Sequence, residues 1–237
     1  MINYAHRGAS AYAPENTMPA FVLGDNMGAN GVETDIQKTR DDVLVLFHDR
    51  DLMRICGRPE AICELTFREL RMLDFGSHKG PKYAGTPIPT LAEFLDFFAN
   101  KKTQMALEIK QPGVEADLIR MVHSYHVEAR TVITSTIWES LLCVHALDDT
   151  LRLGFLTDVL SDELMDEAEH SGIPQICPRA AVLTEPWNQK LRERGFSVRA
   201  WDVDDEKIMR RMIDLKVDGM TVNFPDRLKM ALDQDAK

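Results

Sequence analysis

The segment INYAHRGASAYAPENTMPAFVLGDN, residues 2–26, contains the first unit of a pattern that repeats along the chain of 237 residues. A short apolar run, INYA (2–5), is followed by a loop and then by a stretch with helical periodicity at about 16–28. Seven further runs rich in apolar or β-branched residues are predicted as strands: GVETDI (31–36), QMALEI (104–109), RTVIT (130–134), RLGFL (152–156), PQICP (174–178), FSVRAW (196–201) and DGMTV (218–222). Helical stretches recur at about 90–100, 114–126, 137–147, 160–171, 184–194, 204–216 and 225–235.

This alternation predicts an α/β protein with a (β/α)8 TIM-type barrel, because eight strand–helix units are enough to close one. A doubly wound open sheet has the same local pattern and is the alternative. The second unit is irregular, since another apolar run, VLVLF (43–47), follows GVETDI. We therefore expect one domain over 1–237, with a small inserted subdomain at about 50–86, after the second strand, over one mouth of the barrel.

Helix starts have recognisable signals. Thr90 and Glu93 have the spacing of a capping box, in which each residue bonds the backbone N–H of the other. Asn16 or Thr17 is predicted to cap the first helix, with Pro19 in its first turn.

Composition limits the classes of partner. Apolar residues make up 44% of the chain, the formal net charge is −10, and no run of Lys and Arg predicts nucleic-acid binding. The N-terminus does not resemble a signal peptide, and no apolar run is long enough to span a membrane. The four cysteines form no CxxC pair. We expect a cytoplasmic protein with reduced cysteines, in which barrel helices of two copies could pair into a homo-oligomer.

The first candidate site lies in the second strand. Glu33 and Asp35 point to the same face of that strand because side chains alternate. Two carboxylates inside a barrel repel each other unless a cation joins them. Solvated acids on a surface strand are the other interpretation.

Glu108 and Lys110 repeat this arrangement at the end of QMALEI. Taken alone, they could be a local ion pair. Together with Glu33 and Asp35, Glu108 would complete a set of three carboxylates from neighbouring strands. Such an all-oxygen site suits one divalent cation, Mg²⁺ or Ca²⁺, better than zinc.

Two histidines follow predicted strands and are candidates for acid/base chemistry. His6 and Arg7 end the first strand, and His48 follows VLVLF. Arg7 could bind phosphate oxygens as a fork and Lys110 as a point charge, which a net-acidic protein needs for an anionic substrate. Trp201, at the end of FSVRAW, is either a wall of a substrate pocket or part of the core.

In order along the chain, these segments resemble the glycerophosphodiester phosphodiesterase family, of the cytosolic bacterial type. The resemblance rests on HRG-x-S with PENT (14–17), ETD-x-Q-x-T-x-D-D (33–42), FHD (47–49), ELTFRELRMLDFG (64–76), IPTLAEFL (88–95), LEIK (107–110), and Trp201 followed by DGMTVNFP (218–225). Two segments depart from the family pattern, ICGRPEAIC (55–63) and Asp202-Val-Asp204, and these concern the preferred alcohol rather than the central chemistry.

The resemblance implies a barrel with an inserted subdomain, a bound divalent cation, and hydrolysis of a small glycerophosphodiester to sn-glycerol 3-phosphate and an alcohol. His6 and His48 would be the acid/base pair. The resemblance leaves their order open, and we take His6 as the base and His48 as the acid of the first step. The same resemblance assigns the metal to Glu33, Asp35 and Glu108, and the phosphate to Arg7 and Lys110.

Other functions stay open at this stage. One is a phospholipase D-type enzyme acting on lysolipids, for which Leu52, Met53 and Ile55 could supply an apolar groove. Another is a barrel that binds a phosphodiester without cleaving it. A third is a metal-dependent lyase or isomerase acting on a sugar phosphate.

Overall fold

The computed structural model describes residues 1–235, and within them eight parallel strands close into a barrel. The first strand pairs with the second and with the last, which leaves the barrel no open edge. The strands are β1 Ile2–His6, β2 Gly31–Lys38, β3 Leu44–Leu46, β4 Gln104–Ile109, β5 Thr131–Ser135, β6 Arg152–Thr157, β7 Gln175–Pro178, β8 Ser197–Val203 and β9 Gly219–Val222. Strand β3 stands outside the barrel, antiparallel to the end of β2. The predicted TIM barrel is confirmed, and the open sheet is wrong.

Helices connect the barrel strands on the outside. The helices are α1 Met18–Asn26, α2 Met53–Cys56, α3 Phe67–Leu70, α4 Leu91–Phe98, α5 Glu115–Ser124, α6 Trp138–Leu147, α7 Asp162–His170, α8 Glu185–Glu193, α9 Glu206–Asp214 and α10 Pro225–Asp235. The stretches predicted as helical correspond to α1 and to α4 through α10. Within residues 1–235, none of these helices combines the length and the apolar character that crossing a membrane requires.

Helix α4 shows how local sequence fixes an outer helix. The Thr90 hydroxyl accepts from the Glu93 N–H, and the Glu93 carboxylate accepts from the Thr90 N–H at 2.8 Å, as the capping box predicts. Four apolar side chains then recur at helical spacing and are buried: Leu91, Phe94, Leu95 and Phe98. Phe94 meets Phe21 of α1 edge to face, with ring centroids 4.9 Å apart. This contact ties the first and second units of the barrel together.

The segment between β3 and α4 packs around a hydrophobic cluster of its own. It contains α2, α3 and short 3₁₀ turns, and its cluster comprises Val45, Phe47, Leu52, Ile62, Leu65, Leu70, Phe75 and Ile88. This is the segment expected to form a subdomain at about 50–86. Its interpretation as an insert within a single domain stays a prediction.

The start of α1 differs from the expected cap. Thr17 occupies the position before the helix, but its hydroxyl donates to the Pro14 carbonyl at 2.5 Å instead of accepting from the helix. Asn16 has a left-handed backbone, φ 53°, and its side chain turns towards the barrel. Thr17 therefore occupies the predicted cap position without the capping bond, and Asn16 does not cap the helix, because the loop uses both side chains for other bonds.

Gly8 fixes the position of this loop. Its φ is +82°, and a Cβ at this position would lie 2.4 Å from the Ala20 carbonyl carbon in α1. Only glycine allows the chain to turn at the end of β1 and still touch the helix.

Gly8→Ala should therefore lower the free energy of unfolding by about 3 kcal/mol, combining left-handed strain with a steric clash. Gly195→Ala is the control, because Gly195 has φ +86° but open space around its Cβ position within the described part of the chain. For that variant the free energy of unfolding, measured in urea, should fall by about 1 kcal/mol. Equal losses for the two variants would contradict the clash.

Candidate active site

The carboxyl ends of the barrel strands surround a cavity of about 200 Å³. In TIM barrels this end carries the functional groups, because the loops that follow the strands meet there. The lining residues are His6, Arg7, Glu33, His48, Glu108, Lys110, Thr136, Leu156, Arg199, Trp201, Asp202 and Thr221. The structure thus brings together all the site residues predicted from sequence, with Asp35 buried beside the cavity.

Strand register places the three carboxylates next to one another. Glu33 is the register partner of His6 across β1 and β2, and Asp35 is the partner of Glu108 across β2 and β4. Oxygen atoms of Glu33, Asp35 and Glu108 lie within 4.8 Å of one another, with the residues 3%, 0% and 8% exposed. The interpretation as acids solvated on a surface strand is therefore wrong for Glu33 and Asp35.

Two basic residues at the mouth form ion pairs with the carboxylates of this cluster. Arg7 donates its backbone N–H to Glu33 Oε2 at 3.0 Å, and its Nε lies 3.2 Å from Asp35 Oδ2. Lys110 Nζ is 2.8 Å from Glu108 Oε1 and 3.7 Å from Asp35 Oδ1. The two predicted phosphate-binding cations thus neutralise part of the acidic charge.

The buried oxygens of this cluster are suited to a divalent cation. Burial raises the pKa of Glu33, and repulsion from Asp35 and Glu108 raises it further. Burial also raises the pKa of Asp35, but Arg7 and Lys110 outweigh that effect and lower it. Among residues 1–235, Asp35 Oδ1 has no hydrogen-bond partner although it is buried. A buried all-oxygen cluster in which one carboxylate oxygen accepts no hydrogen bond suggests a divalent metal site.

Asn16 orients Asp35 and was missed by the sequence analysis as a site residue. Its amide donates to Asp35 Oδ2 at 2.7 Å, and its carbonyl accepts from the Thr34 hydroxyl at 2.8 Å. The available signal was the PENT segment, in which a polar loop residue sits next to the predicted site. An isolated asparagine carries no periodicity that would have revealed this contact.

Asn223 holds the ring of His6. Its Oδ1 lies 2.6 Å from His6 Nδ1 and also accepts from the Ser10 hydroxyl at 2.8 Å. An amide oxygen only accepts, so His6 Nδ1 carries the proton and Nε2 is left with a lone pair in the neutral ring. Burial and the charge of Arg7 lower the pKa of His6 to about 4, which favours this neutral form.

His48 has a different partner. Its Nδ1 lies 2.7 Å from the carboxylate of Asp49, which also binds the guanidinium of Arg54. A carboxylate compensates the charge of an imidazolium, whereas the amide beside His6 does not. The two histidines therefore line the same cavity, but the ring of His48 contacts a carboxylate whereas that of His6 contacts a neutral amide.

Trp201 forms part of the cavity wall, and Arg199 lies deeper on the same strand. The indole N–H of Trp201 donates to the Cys177 carbonyl at 3.0 Å. Arg199 is 1% exposed, donates to Thr221 Oγ1 at 2.6 Å, and places its guanidinium 5.3 Å from the ring centre of Tyr4. Strand alternation from Trp201 could have identified Arg199 as an inward-facing cation beneath the carboxylates.

Residues 6–227 match the Glycerophosphoryl diester phosphodiesterase family. The chain belongs to this family. A glycerophosphodiester phosphodiesterase of Caldanaerobacter subterraneus is 32% identical over 94% of each chain. Another, from Bacillus subtilis, is 29% identical over 95% of this chain and 84% of the relative.

Solved structures agree with this assignment. An Oleispira antarctica phosphodiesterase, determined in complex with its product sn-glycerol-3-phosphate, superposes with a TM-score of 0.91 at 25% identity, covering 97% of this chain and 96% of the other. A glycerophosphodiester phosphodiesterase of Thermotoga maritima shares the fold, with a TM-score of 0.82 at 23% identity over 98% of both chains. As a member of the glycerophosphoryl diester phosphodiesterase family, this chain is a phosphoric diester hydrolase.

Glu15, the second residue of the PENT segment, binds Arg7. Its Oε1 accepts from Arg7 Nη1 at 2.8 Å, and both oxygens accept from Arg54. Burial raises the pKa of Glu15, but hydrogen bonds and charges from Arg54 and Arg7 outweigh this and lower it from 4.5 to about 2. Ionised Glu15 therefore stabilises the folded chain.

Glu15→Gln should lower the free energy of unfolding by about 2 kcal/mol at pH 7. Because the folded pKa lies below the unfolded one, the stabilisation is complete above pH 4.5 and disappears as the pH falls towards 2. Urea unfolding of both proteins at pH 7 and at steps from pH 5 down to pH 3 measures this. A difference that does not shrink over this range would contradict the ionised pairing.

Proposed function

We propose that the chain hydrolyses small glycerophosphodiesters to sn-glycerol 3-phosphate and an alcohol, using a divalent cation and two histidines. The observation that carries the proposal is that His6, His48 and the carboxylate cluster meet at one cavity. The product complex of the Oleispira antarctica relative supports a small-molecule substrate of this kind.

Glu33, Asp35 and Glu108 would hold the cation. Their oxygens are close together and buried, and Asp35 Oδ1 lacks a hydrogen-bond partner within residues 1–235. Carboxylate oxygens suit Mg²⁺ and Ca²⁺ alike. When bound, the cation would polarise the phosphoryl oxygens and offset the charge that develops on them.

Arg7 and Lys110 would position the phosphate. Both line the cavity, and both are anchored by carboxylates of the cluster rather than free to swing into solvent. An arginine offers a planar fork to two oxygens, and a lysine adds a compact charge. Trp201 would form a wall against the substrate carbon chain.

His6 would act as base and His48 as acid in the first step. The bond to Asn223 leaves the lone pair of His6 on Nε2, ready to take a proton from a hydroxyl. The bond from Asp49 to Nδ1 fixes the orientation of the His48 ring, which would give a proton to the departing alkoxide. The nucleophile is either the 2-hydroxyl of the glycerol, forming a cyclic phosphate that water then opens, or water itself.

The residues suggested for an apolar groove favour soluble headgroups over lysolipids. Leu52 is fully buried and Ile55 packs against the cluster of the insert, while Met53 is 52% exposed. One exposed methionine supplies little surface for an acyl chain. A phospholipase D-type activity therefore ranks second, and a binding-only barrel lacks support because both histidines are in place.

His6→Ala and His48→Ala should each lower the release of glycerol 3-phosphate from glycerophosphocholine at least about 100-fold, with Mg²⁺ or Ca²⁺ present. His170→Ala, at the exposed end of α7, is the control and should keep normal turnover. Calorimetry should show that the histidine variants still bind the cation.

Near-normal turnover in both histidine variants would refute the acid/base assignment. Cleavage of lysophosphatidylcholine by the wild type, with no cleavage of glycerophosphocholine, would favour the lysolipid alternative.

A further inference from the structure

One arginine of the insert joins the two sides of the active site. Arg54, in α2, donates from Nε to Asp49 Oδ2 at 2.7 Å and from Nη2 to Asp49 Oδ1 at 3.0 Å. It also donates from Nη1 and Nη2 to the two oxygens of Glu15, at 2.8 and 2.7 Å. All three nitrogens of one guanidinium thus bind two carboxylates from different segments of the chain.

Each of these carboxylates also bonds to a residue of the proposed mechanism. Asp49 Oδ1 is 2.7 Å from His48 Nδ1, and Glu15 Oε1 is 2.8 Å from Arg7 Nη1. A continuous chain of bonds therefore runs from His48 through Arg54 to Arg7. Arg54 thus lies between the proposed acid and the proposed phosphate ligand, with one carboxylate on each side of it.

We propose that Arg54 is a positioning residue that orients His48 through Asp49 and Arg7 through Glu15. The insert would then be part of the catalytic apparatus. The inference rests on the proposed function, because it assumes that His48 and Arg7 act on the substrate.

A purely structural role explains these contacts less well. The insert is already attached by its hydrophobic cluster, by the Tyr83 hydroxyl donating to the Tyr12 carbonyl at 3.0 Å, and by Lys79 Nζ donating to the Ser10 carbonyl at 2.5 Å. The Arg54 side chain is 49% exposed, so its loss removes part of the stabilisation of Glu15 without opening a cavity in the core. Variants of Arg54 should therefore fold.

The guanidinium is also chemically specific for this task. Its planar fork can bind two carboxylates in fixed directions, whereas an ammonium group is a point charge on a flexible stem. A lysine could keep the charge but could not hold Asp49 and Glu15 at the same time with the same geometry. This difference separates positioning from simple charge compensation.

Arg54→Gln should lower kcat by about 10- to 100-fold through His48 and also raise KM through Arg7, because small displacements of catalytic groups have large effects on rate. Arg54→Lys should recover only part of the loss. The matched control is Arg58→Gln, since Arg58 belongs to the same insert and pairs with Glu60. That variant should keep both kcat and KM. Urea unfolding should show that all three variants are folded under the assay conditions, with the two Arg54 variants the less stable.

A double-mutant cycle tests whether Arg54 acts through Asp49. If it does, Asp49→Asn combined with Arg54→Gln should lower kcat no further than the stronger single variant. Independent, multiplying effects would overturn the proposal, and so would wild-type kinetics in Arg54→Gln.

His48→Ala, assayed in parallel, separates this inference from the proposed function. An inactive His48→Ala beside a fully active Arg54→Gln would reject the positioning role alone. An active His48→Ala would reject the acid/base assignment on which the inference rests.

Discussion

Burying three carboxylates at one point of a barrel demands nearby positive charge, and much of the mouth is arranged to supply it. Carboxyl groups removed from water repel one another strongly unless cations compensate them. Arg7, Lys110 and Arg199 come from three separate positions around the barrel and lie around or beneath the cluster. The fold provides this arrangement because parallel strands bring their carboxyl ends to one face.

The strained loop after β1 also brings polar side chains to the carboxylate cluster. Arg7 and Asn16 both have left-handed backbones, with φ 54° and 53°, and both bind Asp35. Such conformations are costly for residues other than glycine and persist only where the surroundings hold them. Gly8 allows the loop to fold back onto α1, so that both side chains reach the cluster.

The barrel and the shared face of Glu33 and Asp35 could be predicted from sequence because both depend on periodicity. Alternation of apolar runs gave the strands, and the two-residue repeat placed Glu33 and Asp35 on one face. The residues that orient them could not be found in this way. Asn16 and Asn223 lie in loops or at strand ends, where the direction of a side chain depends on tertiary contacts. The cap at Thr17 failed for the same reason, since its hydroxyl finds a closer partner in Pro14.

The departure at Asp202-Val-Asp204 has a structural consequence at the cavity. Asp202 lines the mouth with φ 58° and pairs with Arg179 at 2.5 Å, so its added charge is largely compensated. Asp202 therefore lies on the cavity wall and outside the cluster of Glu33, Asp35 and Glu108. A cytoplasmic location and an oligomer built through outer helices stay predictions.

The central claim is that Glu33, Asp35 and Glu108 hold one divalent cation at the mouth of the barrel. Crystals soaked in Mn²⁺, an ion that accepts the same oxygen ligands, would test it directly through anomalous diffraction. The account predicts one strong peak, about 2 to 2.5 Å from an oxygen of each carboxylate. A cluster without a peak in a crystal saturated with Mn²⁺, or with Lys110 or Arg7 occupying that position instead, would contradict it.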